Sequence, residues 1–372
     1  MKIVFYAILL VHGLIHLMGF AKAFSLASLE ELSHSISKPF GIIWLITTIL
    51  FLVTFIMLIT NGNGWWIAGL AAIILSQIII ISTWSDAKWG TLANIIILIP
   101  VVMGYFQNRS DSFKNRFESI VQEQLATQHQ PELLSKADME HLPPVVQKYL
   151  EYTNVIGKPK VHNFSATLTG EMKLGQDKPW LNIISRQYNF YKKRSRTFYI
   201  ESKMFGIPFD GLHSYLEDEA VMEIKVGSIF SVADARGDLM TKSETVTLFN
   251  DMCIFAPATL IDPTIDWKEV DALTAEATFS NAGHEIKALL FFNEKGQLVD
   301  FSSNDRYESA DGKAYKNYQW TTPVKDYRGL NGQNIPAYGE AIWHYPDGPF
   351  VYAKFNIEAV DYNVTEYRGI SD

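Results

Sequence analysis

Hydrophobic positions along the chain follow two different rules. Through residue 107 they form long unbroken runs, at about 3–20, 40–60, 65–84 and 90–106. Each run is close to the ~20 residues a helix needs to cross a bilayer at ~1.5 Å per residue. From residue 108 onward the chain is polar, aromatic and strand-patterned. The pattern predicts a transmembrane domain over 1–107, an amphipathic helical linker over 108–142 and a soluble β-rich domain over 143–372. Aromatic residues mark the span ends: Trp65 and Trp66 open the third, Trp84 and Trp89 flank the loop before the fourth, and Tyr105 and Phe106 close it. The turn Asn61-Gly62-Asn63-Gly64 makes spans two and three an antiparallel hairpin.

In the linker, Phe113, Phe117, Ile120, Val121 and Leu125 recur at helical spacing. That helix either lies on a membrane surface or packs on the domain that follows. Helical pattern returns after Pro143-Pro144, where Val145, Val146, Tyr149 and Leu150 share a face. Beyond Gly157 the period drops to two, with Phe164, Ala166, Leu168, Gly170, Met172 and Leu174 alternating with polar residues. Similar runs follow at 181–191, 197–205, 211–216, 220–226, 273–280, 285–292, 298–306, 315–322, 337–345 and 351–362. Asn281-Ala282-Gly283, Glu294-Lys295-Gly296, Asp311-Gly312 and Pro346-Asp347-Gly348 supply turn chemistry between them.

One helix interrupts the strands. Thr241 and Glu244 have the spacing of a capping box, Val246, Phe249, Cys253 and Ala256 form an apolar face, and Pro257 stops it. The expected fold class is a four-helix transmembrane block plus a mainly antiparallel β domain, a curved sheet or half-barrel with one inserted helix. The concave face of such a half-barrel has to be filled by side chains, by the helix or by a ligand.

Charge changes the picture of partners. The residues before 108 carry a net +1, against −8 for the whole chain, which leaves −9 on the remainder. An acidic soluble part argues against nucleic acid, whose phosphates need clustered Lys and Arg. The single cysteine, Cys253, excludes an intrachain disulfide. Lys2, the first apolar run and the small residues at Ala21–Ala23 imitate a signal peptide, but the length of the run and the three spans after it point to an uncleaved first helix. Lys2, Arg109, Lys114 and Arg116 on one side outnumber Lys22, Lys38 and Lys88 on the other by one. By the positive-inside rule that places the soluble domain in the cytoplasm, on a multi-pass protein of the cell membrane.

Several residues are candidates for chemistry. His12 and His16 share a face of the first span, as a metal, haem or quinone site or as imidazoles satisfied by neighbouring helices. Asp86 and Asn94 flank the third loop and read as loop and cap residues or as an ion path. The acidic stretch Asp262, Asp266, Glu269 and Asp271 lacks calcium-loop spacing and reads as a solvated loop. The basic cluster Lys192–Arg196 reads as a hairpin tip or a lipid-headgroup contact. His213, His284 and His344 lie on different strands, as a metal site converging in a barrel mouth or as surface or core histidines, and Glu244, Asp251, Asp305, Arg306, Arg328 and Glu340 are candidates for buried ion pairs or catalytic groups. The aromatic content stands out, and Trp180, Phe198, Phe205, Phe249, Phe291, Trp320 and Trp343 are the expected lining of an apolar ligand cavity. No nucleotide loop, nucleophile elbow or metal motif is present, so no cofactor or metal is expected.

The run from Leu142-Pro143-Pro144-Val145 to Tyr149-Leu150, the helix from Glu244 to Pro257 followed by Trp267, and a C-terminal series carry a resemblance. That series is Trp320, Asp326-Tyr327-Arg328, Gly332, Ile335-Pro336, Glu340, Trp343 and Tyr352. Over roughly residues 142–363 the chain resembles an uncharacterised bacterial family, a domain of unknown function that brings no activity with it. At fold level the strand series also looks like the lipoprotein-localisation carriers, whose curved sheet shelters acyl chains; a shared fold does not fix function. Residues and resemblance together lead to one expectation: a non-enzymatic integral membrane protein whose partner is the lipid bilayer and whose membrane-proximal half-barrel binds a lipid or other apolar ligand. A membrane-bound enzyme acting on a lipid or quinone, and an assembly protein docking a protein partner through its sheet, are the alternatives.

Overall fold

The structure is a computed structural model and describes residues 2–126, 132–204, 206–309, 311–367 and 369. It divides into two compact units, Met1–Ser112 and Phe113–Asp372.

The first unit holds α1 (Lys2–Ile15), α2 (Leu17–Ala23), α3 (Lys38–Ile59), α4 (Trp65–Ser82), α5 (Trp84–Ala87) and α6 (Gly90–Asn108). Four helical stretches, Ile3–Ala23, Lys38–Ile59, Trp65–Ser82 and the one opening at Gly90, are long and apolar enough to cross a membrane. Their inward side chains meet in a small core of Leu9, Phe51, Ala72, Ile73, Ile97 and Val101. Close backbone approach between such apolar helices depends on small residues at the contact. At Gly19 a Cβ would lie 2.0 Å from the Trp44 ring, so only glycine lets α2 meet α3 there. Between α1 and α2 the backbone tightens at His16. Its Nδ1–H donates to the His12 carbonyl (2.8 Å), and its own backbone N–H turns to the Gly13 carbonyl (3.2 Å), a 3₁₀-type step.

The second unit opens with α7 (Phe113–Leu125) and α8 (Pro144–Tyr152). Strands β1 (Asn163–Met172), β2 (Leu181–Phe190), β3 (Ser195–Met204), β4 (Ile207–Leu216), β5 (Glu219–Val226) and β6 (Phe230–Ala235) follow as a meander. Next come α9 (Asp238–Ile254) and strands β7 (Ile265–Asp271), β8 (Thr274–Asn281), β9 (His284–Phe292) and β10 (Leu298–Ser303). The chain then forms β11 (Tyr307–Glu308), β12 (Lys316–Asn317), β13 (Gln319–Thr321), β14 (Val324–Lys325), β15 (Arg328–Leu330) and β16 (Gln333–Ile335), and ends in the hairpin of β17 (Tyr338–Tyr345) and β18 (Gly348–Tyr362). One curved antiparallel sheet takes up 14 of these strands in the order β6-β5-β4-β3-β2-β1-β18-β17-β13-β10-β9-β8-β7, with β14 also on β17. The Ala282-Gly283 turn between β8 and β9 has φ of 49° and 76°, the two left-handed residues a two-residue hairpin turn needs.

α9 lies against the inner face, and 14 of its 17 residues are buried, so it has no solvent side. Its core partners include Phe164, Ile183, Phe198, Phe279, Leu290, Phe301 and Trp320. α7 covers the outer face instead, where Phe113, Phe117, Val121 and Leu125 pack on Tyr188, Phe190, Tyr199 and Leu212. Because Phe198 faces α9 and its neighbour Tyr199 faces α7, β3 is buried on both sides and loses the simple alternation of a half-buried strand. Of the two roles open to the linker helix, packing on the sheet is the one observed.

Two local expectations are corrected. The helix starts at Asp238 with Gly237 as its N-cap, not at Thr241. Thr241 Oγ1 instead accepts from the Ala220 backbone N–H (3.1 Å), and Glu244 turns into the interior toward two arginines. The acidic stretch from Asp266 to Asp271 is the edge strand β7 rather than a loop, with Ile265 buried, Trp267 half-buried and the charges outward, the usual way to blunt an unpaired edge. Strand β6, too short and irregular to read from its pattern, closes the other edge.

Phe117 is fully buried between α7 and the sheet. Phe117→Ala is expected to cost about 3–5 kcal/mol, read as a lower guanidinium midpoint of the detergent-solubilised chain followed by tryptophan fluorescence.

Candidate functional site

The registers of β2, β3 and β4 set Gln187, Phe198 and His213 side by side on the inner face. Arg196, two residues before Phe198, therefore points inward as well. Facing them, α9 presents Glu244, Thr247 and Asp251 at i, i+3 and i+7, one stripe of a helix. Arg196 joins the two surfaces: Nε donates to Asp251 Oδ2 (2.7 Å) and Nη1 to Glu244 Oε2 (3.2 Å). Gln187 Nε2 (2.7 Å) and Asn189 Nδ2 (3.0 Å) also donate to Asp251 Oδ2. Arg306 closes the far side, with Nη2 3.6 Å from Glu244 Oε1, Nε donating to Thr247 Oγ1 (3.2 Å) and Nη1 to the Tyr352 hydroxyl (3.3 Å). Its guanidinium lies 4.3 Å from the Trp320 ring centre and 5.1 Å from that of Trp343, close enough for cation–π attraction.

Arg196, Glu244 and Asp251 are 6%, 3% and 4% exposed, too dry for a lone charge. The two arginines and two carboxylates cancel. Burial alone would raise Glu244, but Arg196, His213 and Arg306 together hold its carboxyl below the usual range. For Asp251, burial wins over the pull of Arg196 and Asn189 and pushes the group upward. His213 is pushed down to about 4, chiefly by burial; the attraction of Glu244 raises it, and the repulsion of Arg196 and Arg306 lowers it further. It is therefore a neutral imidazole at pH 7.

Between this polar stripe and the sheet lies a cavity of about 170 Å³. Leu168, Phe198, Ile200, Phe209, Ile224, Val324 and Ile357 make its apolar wall. Arg196, His213, Glu244, Asn250, Asp251 and Arg306 make the polar one. The volume is near the ~150 Å³ that accommodates a benzene-sized guest and below the ~300–1,000 Å³ of drug-sized pockets.

The expected lining residues separate. Phe198 and Trp320 face the cavity. Phe249 is stacked 5.1 Å from Phe279 in the solid core behind it, and Trp343 lies beyond Trp320, 6.5 Å away. Trp180 sits outside, beneath the ammonium groups of Lys173 and Lys354. Phe291 points away from the interior, between the inward Leu290 and Phe292. Phe205 lies outside the described residues.

The three histidines stay apart as well. His213 is in the cavity, His284 Nε2 is 3.7 Å from Asp238, and His344 Nε2 is 2.9 Å from Thr321 Oγ1. Asp305 pairs with Lys242 (2.9 Å), Arg328 donates to the Ile357 carbonyl, and Glu340 lines the cavity while accepting from the Tyr338 hydroxyl (2.7 Å). The basic cluster divides: Lys193 pairs with exposed Glu217, Arg194 with Asp262, and Arg196 enters the core rather than a hairpin tip. Its parity with the inward Phe198 and Ile200 was the available signal.

In the first unit His12 and Asn94 meet, Nε2–H donating to Asn94 Oδ1 (2.9 Å) with Ser76 Oγ 3.2 Å away. Asn94 Nδ2 donates to Gln77 Oε1 (3.0 Å) and Gln77 Nε2 to Thr91 Oγ1 (3.2 Å). His16 is bound to the backbone of its own helix, and Asp86 receives the backbone N–H (2.7 Å) and hydroxyl (2.8 Å) of Ser33. Among the described residues no three His, Cys, Asp or Glu side chains converge as a metal set.

Removing Arg196 leaves buried Asp251 without a cation and Glu244 with Arg306 alone. Arg196→Leu is expected to destabilise the fold by about 3–5 kcal/mol, measured by chemical unfolding, with Asp251→Asn in the same background restoring part of the loss. His213 titrates lower in the fold than in the unfolded chain, so its contribution is complete above about 6.5 and disappears as pH falls toward about 4. Asp210 and Asp300, both pushed up to about 6 by burial, act in the opposite direction over part of that window. The difference between wild type and His213→Gln isolates the histidine: the variant is expected to lose less stability between pH 6.5 and 4 in parallel unfolding series.

A comparison with curated proteins finds no match. Among solved structures, the chain is similar to a protein described as an outer membrane lipoprotein-sorting protein domain from Vibrio parahaemolyticus, at 8% identity and a TM-score of 0.33, over 55% of this chain and 87% of that one. It is also similar to a LolA superfamily protein from Nitrosomonas europaea (10%, TM-score 0.35, 58% and 93%). A third is a DUF1329 family protein from Desulfovibrio piger (11%, TM-score 0.35, 63% and 96%). The model of a family of unknown function, DUF6544, matches residues 132–355, which take in β1 to β17, α9 and all of the buried charge cluster. The chain belongs to that family.

Proposed function

We propose that this is an integral membrane protein that binds, rather than transforms, a small apolar ligand or one apolar segment of a lipid. The four apolar helices anchor it in the cell membrane, and the β unit holds the ligand between α9 and the inner face of the sheet. The observation that carries this reading is the cavity itself, a space walled by aliphatic and aromatic side chains on one side and by a self-neutralised charge cluster on the other. Glu244 and Asp251 already accept from arginine and amide donors, so they serve as locks and not as free acids or bases. Because the cluster has no surplus charge, a ligand here is uncharged at its buried end. His213 makes no side-chain hydrogen bond to the described residues and offers one polar contact to such a ligand.

At about 170 Å³ the space takes a ring or a short chain end, and a longer lipid would leave most of its length outside. A cavity-filling change tests this. Ala353 is 1% exposed and lines the wall on β18. Ala353→Phe occupies the space at an expected ~1–3 kcal/mol of overpacking. Full-length wild type and variant, purified in the same detergent and extracted with organic solvent, are compared by mass spectrometry. A species held by the wild type and lost from the folded variant is the expected result; identical extracts would reject the reading. Lipid bound around the helices appears in both samples and cancels.

A further inference from the structure

The strands β1 to β6 have two unlike ends. At one end the turns are fastened to the rest of the unit: Arg194 in the β2–β3 turn donates to Asp262 Oδ2 (2.7 Å), Thr264 Oγ1 (2.6 Å) and Asn281 Oδ1 (3.3 Å). The β4–β5 turn beside it presents Glu217 and Asp218. The opposite end carries the β1–β2, β3–β4 and β5–β6 turns, and each exposes a large apolar side chain. Leu174 is 45% exposed, Ile207 40% and Phe230 68%. Lys173, Lys178 and Lys203 stand among them, with Asp177 as the one acid within 173–180, 203–207 and 227–230. Trp180, under Lys173, gives the same rim an amphipathic ring. The β17–β18 turn, next along this end, adds Asp347 and no large exposed apolar group.

We propose that these three turns press into the surface of an anionic lipid bilayer. Single exposed apolar residues are ordinary, but three at successive turns of one edge form a patch, and patches of that kind mark interaction sites. The lysines choose the occupant. In a unit whose net charge is strongly negative, a rim with three lysines and one acid complements lipid phosphates, and apolar tips between cations are the chemistry of interfacial insertion. The rim is also continuous with the cavity: Met172, Phe209 and Ile224, all in its wall, lie within a few residues of the tips. Docking therefore brings the cavity wall close to the lipid. The inference goes beyond ligand binding and stands without it.

The test uses the full chain in vesicles. Phe230→Cys and Leu174→Cys report from the rim, and Lys193→Cys reports from the fastened end. Cys253 is wholly buried, with its thiol pushed up by burial, so it stays unlabelled in the native fold. Each variant carries an environment-sensitive NBD label and is reconstituted with phosphatidylcholine alone or mixed with phosphatidylglycerol, with nitroxide-labelled lipid as quencher. The expected result is blue-shifted emission and lipid quenching at 230 and 174 in the anionic vesicles, weakened in phosphatidylcholine alone, with 193 unquenched in both. Water-like emission at 230 and 174, a blue shift without lipid quenching, or equal quenching at 193 would overturn the proposal. An empty cavity in the extraction experiment would leave these readouts unchanged.

Discussion

Arg196 is the residue on which the second unit turns. A helix with no solvent-facing side has to hide its polar groups as well as its apolar ones, and α9 carries two carboxylates. Two buried anions are tolerable only with cations at contact distance, and Arg196 supplies one from the sheet and Arg306 another from the chain after β10. The pairing also sets the rotation of α9. Its Glu244, Thr247 and Asp251 stripe faces β2 to β4, so Phe249 on another face meets Trp267, Phe279 and Phe301 on β7, β8 and β10. A turn of the helix toward that face would bring its carboxylates against aromatic rings.

The cavity is a consequence of that arrangement. Ion pairs with fixed geometry hold the helix at a set distance from β1, β17 and β18, whose inner residues there include the small Gly339, Ala341 and Ala353. A close-packed interior usually erases such space, because each lost contact forfeits dispersion energy. Here polar geometry keeps it. The outer face needs no such compromise, and α7 seals it with phenylalanines.

The first unit satisfies the same rule without charges. His12, Asn94, Gln77 and Thr91 pass hydrogen bonds from one helix to the next, with Ser76 close by, so each of these four has a partner inside an apolar bundle. His16 turns to its own backbone and tightens the first helix where it does so. In both units the interior polar groups set how the elements face one another.

By itself the sequence determined what depends on neighbours along the chain. Continuous apolar runs marked the four helices, period two marked β1, β2, β8 and β9, and Ala282-Gly283 marked a hairpin, because hydrophobic period and turn chemistry are local. Signals failed where an element had no distinct faces or no length. The double-sided burial of β3 hid Arg196 inside what looked like a charged turn, the charges of edge strand β7 imitated a loop, and a capping pattern at Thr241 hid an ion-paired Glu244. Tertiary structure alone decided the site. Arg196 lies 48 residues from Glu244 and 55 from Asp251 in sequence, and only the curvature of the sheet around α9 brings them within hydrogen-bond reach. The same curvature chose Phe198 and Trp320 for the cavity and left Trp180 and Phe291 outside it, a choice of face and strand order that residue type does not carry.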